Sequence, residues 1–227
     1  MHPRSVRSVL PLLALLGAAP LLAQARIIDE GTFNIAKTGA APHTENFRIV
    51  RAANGLVTAN GTVLAGTQQI NSSLTTDSLG TPVEYKLTII EGRAKTLMVS
   101  ATARGARLAT ATSSQGGDES MREYPLAAGS TVILDGGLVH QLYFLSLGHR
   151  AGTVQAIEPR GSRMGAVALA ASGLEPIDVG GRSVTATHYS LTDRGVRTEF
   201  WVDASGRLLR ATIPSQGLTA SREEPPK

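Results

Sequence analysis

The sequence predicts a mainly β fold, in which a large curved antiparallel sheet forms a half-barrel or open barrel and one apolar helix packs on its concave face. Segments of alternating apolar and polar residues, such as Pro82–Ile89, recur along the chain and are punctuated by Gly, Asn and Asp. One segment, Gly136–Leu147, is instead apolar on nearly every side. The 227 residues, 42% of them hydrophobic, suffice for a single core.

The strands follow from this alternation, because successive side chains of a strand point to opposite faces of the sheet. Besides Pro82–Ile89, the predicted strands are Gly31–Lys37, Asn46–Ala52, Gly55–Ala59, Thr62–Ala65, Gln68–Thr76, Thr96–Ala103, Arg107–Ser113, Glu119–Tyr124, Gly152–Glu158, Arg163–Ala170, Val184–Leu191, Val196–Val202 and Leu208–Ile213. So many strands in one chain favour a single large sheet.

Turn residues separate these strands. Asn60-Gly61 predicts a tight hairpin turn, and Asp203-Ala204-Ser205-Gly206 predicts a type I turn. The register that pairs Phe200 with Leu209 gives the second hairpin one apolar face, and it leaves Trp201 on the nominally wet face. Ser172–Arg182 contains Pro176 and two consecutive glycines and is predicted as a loop.

The helix has marked ends. Asp135 is placed to cap its N-terminus, Gly148 to end it in the left-handed conformation, and His149 and Arg150 to meet the negative end of its dipole. A helix that is apolar on nearly every side must be buried. In a β-rich protein the concave face of a curved sheet is the natural place for it.

The N-terminus resembles an export signal. Arg4 and Arg7 precede an apolar run of about 14 residues, and Ala23-Gln24-Ala25 has the small-x-small form that signal peptidase cleaves. The run is shorter than the ~20 residues that a bilayer span needs. We therefore expect a cleaved signal peptide (1–25), a single antiparallel β domain (26–216) with a subdivision near 172–182 left open, and a flexible tail (217–227). The mature protein would be periplasmic or secreted, with no transmembrane segment.

Composition excludes several classes of function. The chain has no cysteine, which removes disulfides, thiolate metal sites and lipid attachment through a thiol. Loss of the signal peptide lowers the formal net charge from +4 to +2, because two arginines and no acid are removed. No stripe of basic residues follows, so nucleic acid is not an expected partner.

No motif for catalysis is present. The chain lacks Gly-x-Ser-x-Gly, a Walker loop, Gly-x-Gly-x-x-Gly and His-Glu-x-x-His, so we expect neither an enzyme nor a cofactor. His43 and Glu45 could face one side of a strand, but two groups do not complete a metal site, and we expect no metal. His140 and His188 are interpreted as hydrogen-bonded structural residues.

The run Phe200-Trp201-Val202-Asp203-Ala204-Ser205-Gly206-Arg207-Leu208-Leu209-Arg210 resembles the closing hairpin of uncharacterised bacterial envelope β-domains. The whole architecture, an exported and cysteine-free set of antiparallel strands with one apolar helix, is similar to the half-barrel carriers of the LolA/LolB type. That resemblance implies the binding of acyl chains in a hydrophobic concavity. It carries no site residue over to this chain.

Two functions remain. The first is an exported, non-enzymatic envelope protein that binds an apolar or lipid ligand in its concave sheet, with the helix as plug or lid. The expected ligand-binding residues are Leu138, Leu142, Tyr143, Phe144 and Trp201. The alternative is a structural or protein-interaction domain of the envelope without a small ligand, which predicts the same apolar helix as part of the core.

Overall fold

The computed structural model describes residues 25–148 and 151–227, and the predicted signal peptide lies almost wholly outside them. The strands, in chain order, are β1 (Arg26–Lys37), β2 (His43–Arg51), β3 (Val57–Ala65), β4 (Gln68–Thr76), β5 (Pro82–Glu91), β6 (Ala94–Arg104), β7 (Arg107–Ser114), β8 (Glu119–Pro125), β9 (Thr131–Ile133), β10 (Gly152–Glu158), β11 (Arg163–Val179), β12 (Arg182–Asp193), β13 (Val196–Val202), β14 (Leu208–Ile213) and β15 (Leu218–Arg222).

All fifteen strands form one sheet, in the order β8-β7-β6-β5-β4-β3-β2-β1-β15-β14-β13-β12-β11-β10-β9. Neighbouring strands are antiparallel except β9 and β10, which are parallel. The sheet curves until β9 contacts β5, and the inner face holds the main core. The predicted fold class, a large curved antiparallel sheet with one apolar helix on its concave face, is confirmed.

The helix is shorter than predicted. It begins as a 3-10 turn at Val139–Leu142 and continues as α1 (Tyr143–Gly148). Asp135 does not cap it, since its carboxylate accepts a hydrogen bond from the Tyr85 hydroxyl instead. Gly137 has a positive φ of 84°, which is incompatible with a right-handed helix. His149 and Arg150 lie outside the described residues. No helix of the described part is long and apolar enough to cross a membrane.

The predicted turn at Asn60-Gly61 is wrong. Both residues lie within the continuous strand β3, where Asn60 pairs with Arg48 of β2 and Ser73 of β4. The predicted loop Ser172–Arg182 is also wrong over most of its length, because β11 runs on to Val179. Only residues up to Leu169 of β11 pair with β10, so the later half is an edge on that side. An edge tolerates Pro176, whose nitrogen has no hydrogen to donate.

The register of the last hairpin differs by two residues from the prediction. Phe200 pairs with Ala211 rather than Leu209, and a bulge separates the pairs made by Trp201 and Val202. The turn itself is confirmed, with the Gly206 amide donating to the Asp203 carbonyl at 2.9 Å. The Asp203 carboxylate also accepts from the Arg207 amide at 2.9 Å, which draws Arg207 into the turn and shifts the register.

The predicted flexible tail is wrong for residues 218–222. These residues form β15, which joins the two halves of the sheet by pairing with β1 on one side and β14 on the other. Its last residue, Arg222, is buried and makes a bidentate ion pair with buried Asp29 of β1, at 2.8 and 2.9 Å. The guanidinium also donates to the carbonyls of Leu208, Glu30 and Glu224, so all its N–H groups are satisfied.

This buried ion pair gives the first prediction. Arg222→Met leaves the Asp29 carboxylate buried without its partner, so we expect the free energy of unfolding to fall by about 3–5 kcal/mol. Removing both charges in Asp29→Leu/Arg222→Met avoids that penalty, and this variant should be more stable than Arg222→Met alone. Urea unfolding, followed by fluorescence of the single tryptophan, gives both values. Equal stability of the two variants would contradict the prediction.

Candidate functional site

A cavity of about 860 Å3 lies between the start of the helix and the inner face of strands β10–β15. This volume falls within the range of about 300–1,000 Å3 that is typical of small-molecule sites. Most of its wall is apolar, formed by Leu134, Leu138, Val139, Leu142, Ala156, Met164, Val167, Leu191, Val196, Ala211, Ile213 and Leu218. The wall also contains Gly165, at which an added Cβ would meet no atom within 4 Å. The cavity is therefore an apolar space that a larger side chain could enter.

The mouth of the cavity is polar. It is formed at the ends of strands by Lys37, His43, Glu158, Arg163, Asp193, Arg194 and Gln216. Of the other polar wall residues, Asp135 is buried and Thr198 lies within β13. Both signs of charge are present at the mouth. An apolar interior with a charged mouth suits an amphiphilic ligand better than a wholly polar one.

The helix beside the cavity is held in place by a buried carboxylate. Glu45 of β2 is fully buried and accepts hydrogen bonds from the amides of Val139 and His140, at 2.8 and 2.7 Å. It also accepts from Nδ1 of the His140 ring, at 2.6 Å. These amides are at the start of the 3-10 turn, where N–H groups have no partner within the turn. Glu45 thus fixes where the helix begins and how the imidazole is oriented.

The far side of the His140 ring contacts the sheet. Nε2 lies 3.4 Å from the Ser72 hydroxyl of β4. An added Cβ at Gly61, in the strand between Glu45 and Ser72, would lie 2.2 Å from Cε1 of the ring. Gly61 is therefore required for the close approach of the imidazole and not for a turn.

The order hydroxyl, imidazole and carboxylate is also the order of groups in a serine hydrolase triad. Here Ser72 is buried in the strand, and the imidazole is packed against Gly61. A nucleophile needs room for a substrate carbonyl about 3 Å from its oxygen. The Glu45 oxygens are moreover shared with two backbone amides that set the helix start. We interpret the three groups as an anchor for the helix.

Gly61 provides a test of this anchor. Gly61→Ala places a methyl group where the His140 ring lies, and Glu45 and Ser72 hold that ring on both sides. We therefore expect a loss of about 2–4 kcal/mol in the free energy of unfolding. Gly165→Ala is the matched control, since it adds the same methyl group to open space at an ordinary φ. Its effect should stay within about 1 kcal/mol. Chemical denaturation of both variants gives the comparison, and equal stabilities would show that the ring moves freely.

A second polar network fixes the segment before the helix. The buried Asp135 carboxylate accepts from the Tyr85 hydroxyl at 2.8 Å and lies 3.2 Å from the Arg160 guanidinium. The Asp135 amide donates to the side-chain oxygen of Gln141 at 2.6 Å. Burial raises the pKa of Asp135, and Arg160 and Tyr85 oppose that shift. Asp135 is thereby held against β5, and the contacts with Glu45 hold Val139 and His140 against β2.

Tyr85 gives a pH-dependent prediction. Burial, and next the neighbouring Asp135 carboxylate, raise the pKa of Tyr85 well above its ordinary value of 10.0. Above pH 10 the unfolded chain therefore loses a proton that the folded chain keeps, and stability falls by about 1.4 kcal/mol per pH unit for this group. Tyr85→Phe should be less stable near pH 7, because Asp135 loses a donor. Its further loss above pH 10 should be shallower than in the wild type.

Urea unfolding at a series of pH values between 7 and the alkaline limit of folding measures both effects. The pKa values of Tyr124 and Tyr143 are also raised by burial, so part of the alkaline slope should remain in the variant. Identical slopes for variant and wild type would contradict the assignment to Tyr85.

The predicted ligand-binding residues separate into three groups. Leu138 and Leu142 line the cavity. Tyr143 and Phe144 are buried in the main core beside them, with their rings edge to face at 5.5 Å, and they do not line the cavity. Trp201 lies on the opposite face of the sheet from Phe200 and Val202, which belong to the main core. The structure therefore brings four of the five residues together and leaves Trp201 apart.

Trp201 is partly covered by its own chain. Its ring stacks on His188 at 4.6 Å between centroids, and the Arg210 guanidinium lies over it at 5.9 Å. Its indole N–H donates to Glu175 of the extended strand β11. A small apolar cluster of Ile177, Val179, Ala186 and Leu209 adjoins it on this outer face. His188 also contacts Glu199 at 2.7 Å, and both predicted structural histidines are hydrogen-bonded.

Sequence reasoning missed most of the cavity. The wall residues of β10–β15 look like ordinary inward-facing strand positions, and Gly165 gives no local signal. Glu45 was considered only as part of an incomplete metal site. An acidic residue at an inward position of an alternating strand, in phase with Phe47 and Ile49, was the available sign of a buried partner.

Comparison with known proteins supports the architecture. A model of the family described as Domain of unknown function (DUF6134) matches residues 141–222, which run from the 3-10 turn to the end of β15. The chain is also similar to a solved structure, the beta-barrel-like protein of domain of unknown function DUF1849 from Brucella abortus. That likeness has a TM-score of 0.56 at 10% identity and covers 86% of this chain and 95% of the other. No curated protein matches.

The protein therefore has a β-barrel-like fold, and residues 141–222 are similar to a family of unknown function. Neither description names a lipoprotein carrier, so the likeness to LolA/LolB carriers stays a prediction. At 10% identity the solved structure bears on the fold alone.

Proposed function

We propose that the protein is an exported, non-enzymatic binding protein that holds an apolar or lipid ligand in the cavity between the helix and strands β10–β15. The observation that supports this proposal most directly is the cavity, which has a volume of about 860 Å3 and a largely apolar wall. It lies beside a helix whose other side is packed against the core. Apolar surface that the fold leaves unfilled favours the entry of an apolar molecule. The signal-like sequence 1–25 supports export.

The ligand would bind beside the helix rather than in its place. Phe144 and Leu145 are fully buried, and the Ser146 hydroxyl donates to the Gly206 carbonyl at 2.8 Å. Glu45 holds the other end of the helix. Displacing a helix tied at both ends would expose its buried core residues, so a fixed wall agrees better with these contacts than a lid does.

Filling the cavity tests this proposal. Gly165→Phe places a ring in the open space beside Ala156, its partner in β10, and should raise the Kd of the neutral fluorescent probe N-phenyl-1-naphthylamine by about tenfold or more. Ala168→Phe is the matched control, because residue 168 of the same strand is exposed and faces away from the cavity. Fluorescence titration measures Kd, and thermal unfolding verifies that both variants fold.

Two outcomes would overturn the proposal. The first is a titration of the wild type without any rise in fluorescence. The second is binding of the probe by Gly165→Phe as tight as that by Ala168→Phe and the wild type. Either result would direct attention to the alternative, a protein-interaction domain of the envelope.

One observation favours that alternative. Strand β8 ends the sheet in the described part of the chain, and Met121 of this strand is 79% exposed. Met98, on the same face two strands away, is also exposed. Unpaired strand edges with apolar side chains are sites of β-strand addition by a partner.

A further inference from the structure

In the described part of the chain, every carboxylate of the cavity wall forms an ion pair, whereas one cation of the wall does not. Each carboxylate of its wall has an arginine partner: Asp135 with Arg160, Glu158 with Arg163, and Asp193 with both Arg163 and Arg194. Three carboxylates thus face three arginines. These pairs leave no net charge of their own for a ligand to compensate.

Lys37 is the cation that remains. It ends β1 at an inward position, two and four residues after buried Ile35 and Phe33, and its side chain lines the cavity. Within residues 25–148 and 151–227, no carboxylate lies within ion-pair distance of it. His43 begins β2, pairs with Ile35, and lines the same part of the wall. An ammonium group and an imidazole therefore line the cavity from neighbouring strands, β1 and β2.

The volume of the cavity limits the apolar part of a ligand. A methylene group is comparable in size to a water molecule, whose share of liquid volume is about 30 Å3. The cavity thus has room for on the order of thirty such groups. One acyl chain with a small head group fits this space.

We infer that the ligand is a single-chain amphiphile with an anionic head group, whose tail fills the apolar cavity and whose head contacts Lys37 and His43. This inference rests on the proposed function. An anionic head group would form an ion pair with Lys37, the only uncompensated cation of the described cavity wall. Charge-assisted hydrogen bonds from an ammonium group are among the stronger polar contacts. A cationic head would instead meet like charge at the same place.

Displacement of N-phenyl-1-naphthylamine by ligands of equal chain length tests the head group. Dodecanoate, dodecan-1-ol and dodecyltrimethylammonium share one tail and differ in charge. We expect dodecanoate to displace the probe at a lower concentration than the alcohol, and the ammonium compound to be the weakest. Lys37→Gln/His43→Gln should raise the Kd of dodecanoate by about tenfold and change that of the alcohol by less than about twofold.

Two further variants serve as a control and as a charge-reversal test. Lys95→Gln removes an exposed lysine of β6, outside the cavity wall, and should leave all three affinities unchanged. Lys37→Glu reverses the charge at the mouth and should make dodecyltrimethylammonium bind more tightly than dodecanoate. Both substitutions are at exposed positions, and thermal unfolding provides the check on folding.

The outcomes separate this inference from the proposed function. Equal displacement by acid and alcohol, unaffected by the variants, would overturn the anionic head group while cavity binding stood. Tightest binding of the ammonium compound by the wild type would overturn it as well. If the wild type bound neither the probe nor any of the three amphiphiles, the proposed function itself would fail.

Discussion

A single carboxylate in the core, that of Glu45, determines much of this structure. A buried charge is costly unless donors replace the water it has lost. Glu45 receives three, two amides and one ring N–H, and all of them belong to Val139 and His140. The start of the helix can therefore lie in one place only. Glycine at position 61 follows from the same constraint, because the imidazole occupies the space of a side chain there.

The cavity is a consequence of this arrangement. The helix is drawn toward β2 and β3 by Glu45 and His140, and the preceding segment is drawn toward β5 by Asp135 and Tyr85. Strands β10–β15 curve around the other side, and no side chain from the helix fills the space in between. Fixed polar contacts on one flank and an open apolar wall on the other are what a preformed binding site requires.

Local patterns in the sequence predicted the strands well and the long-range contacts poorly. The bounds of Gln68–Thr76, Gly152–Glu158, Val196–Val202 and Leu208–Ile213 agree with the prediction, because alternation is a property of neighbouring residues. The turn predicted at Asn60-Gly61 was wrong because this dipeptide is common in turns. The glycine is needed here for the close approach of His140, which lies 79 positions later in the chain. Of the site, the helix residues Leu138 and Leu142 were predictable. Lys37, His43 and the opposite wall meet them only through the curvature of the sheet.

The position of β15 has a consequence for how the chain folds. The strands from β1 to β8, and those from β11 to β14, can form as successive hairpins from contacts that are near in sequence. Joining them requires the last strand, and the ion pair at the junction links residues 193 positions apart. The seam can close only after β15 has been synthesised, so a shorter nascent chain holds two partial sheets with exposed inner faces. Completion of the sheet therefore waits for β15, whatever the order in which the earlier hairpins form.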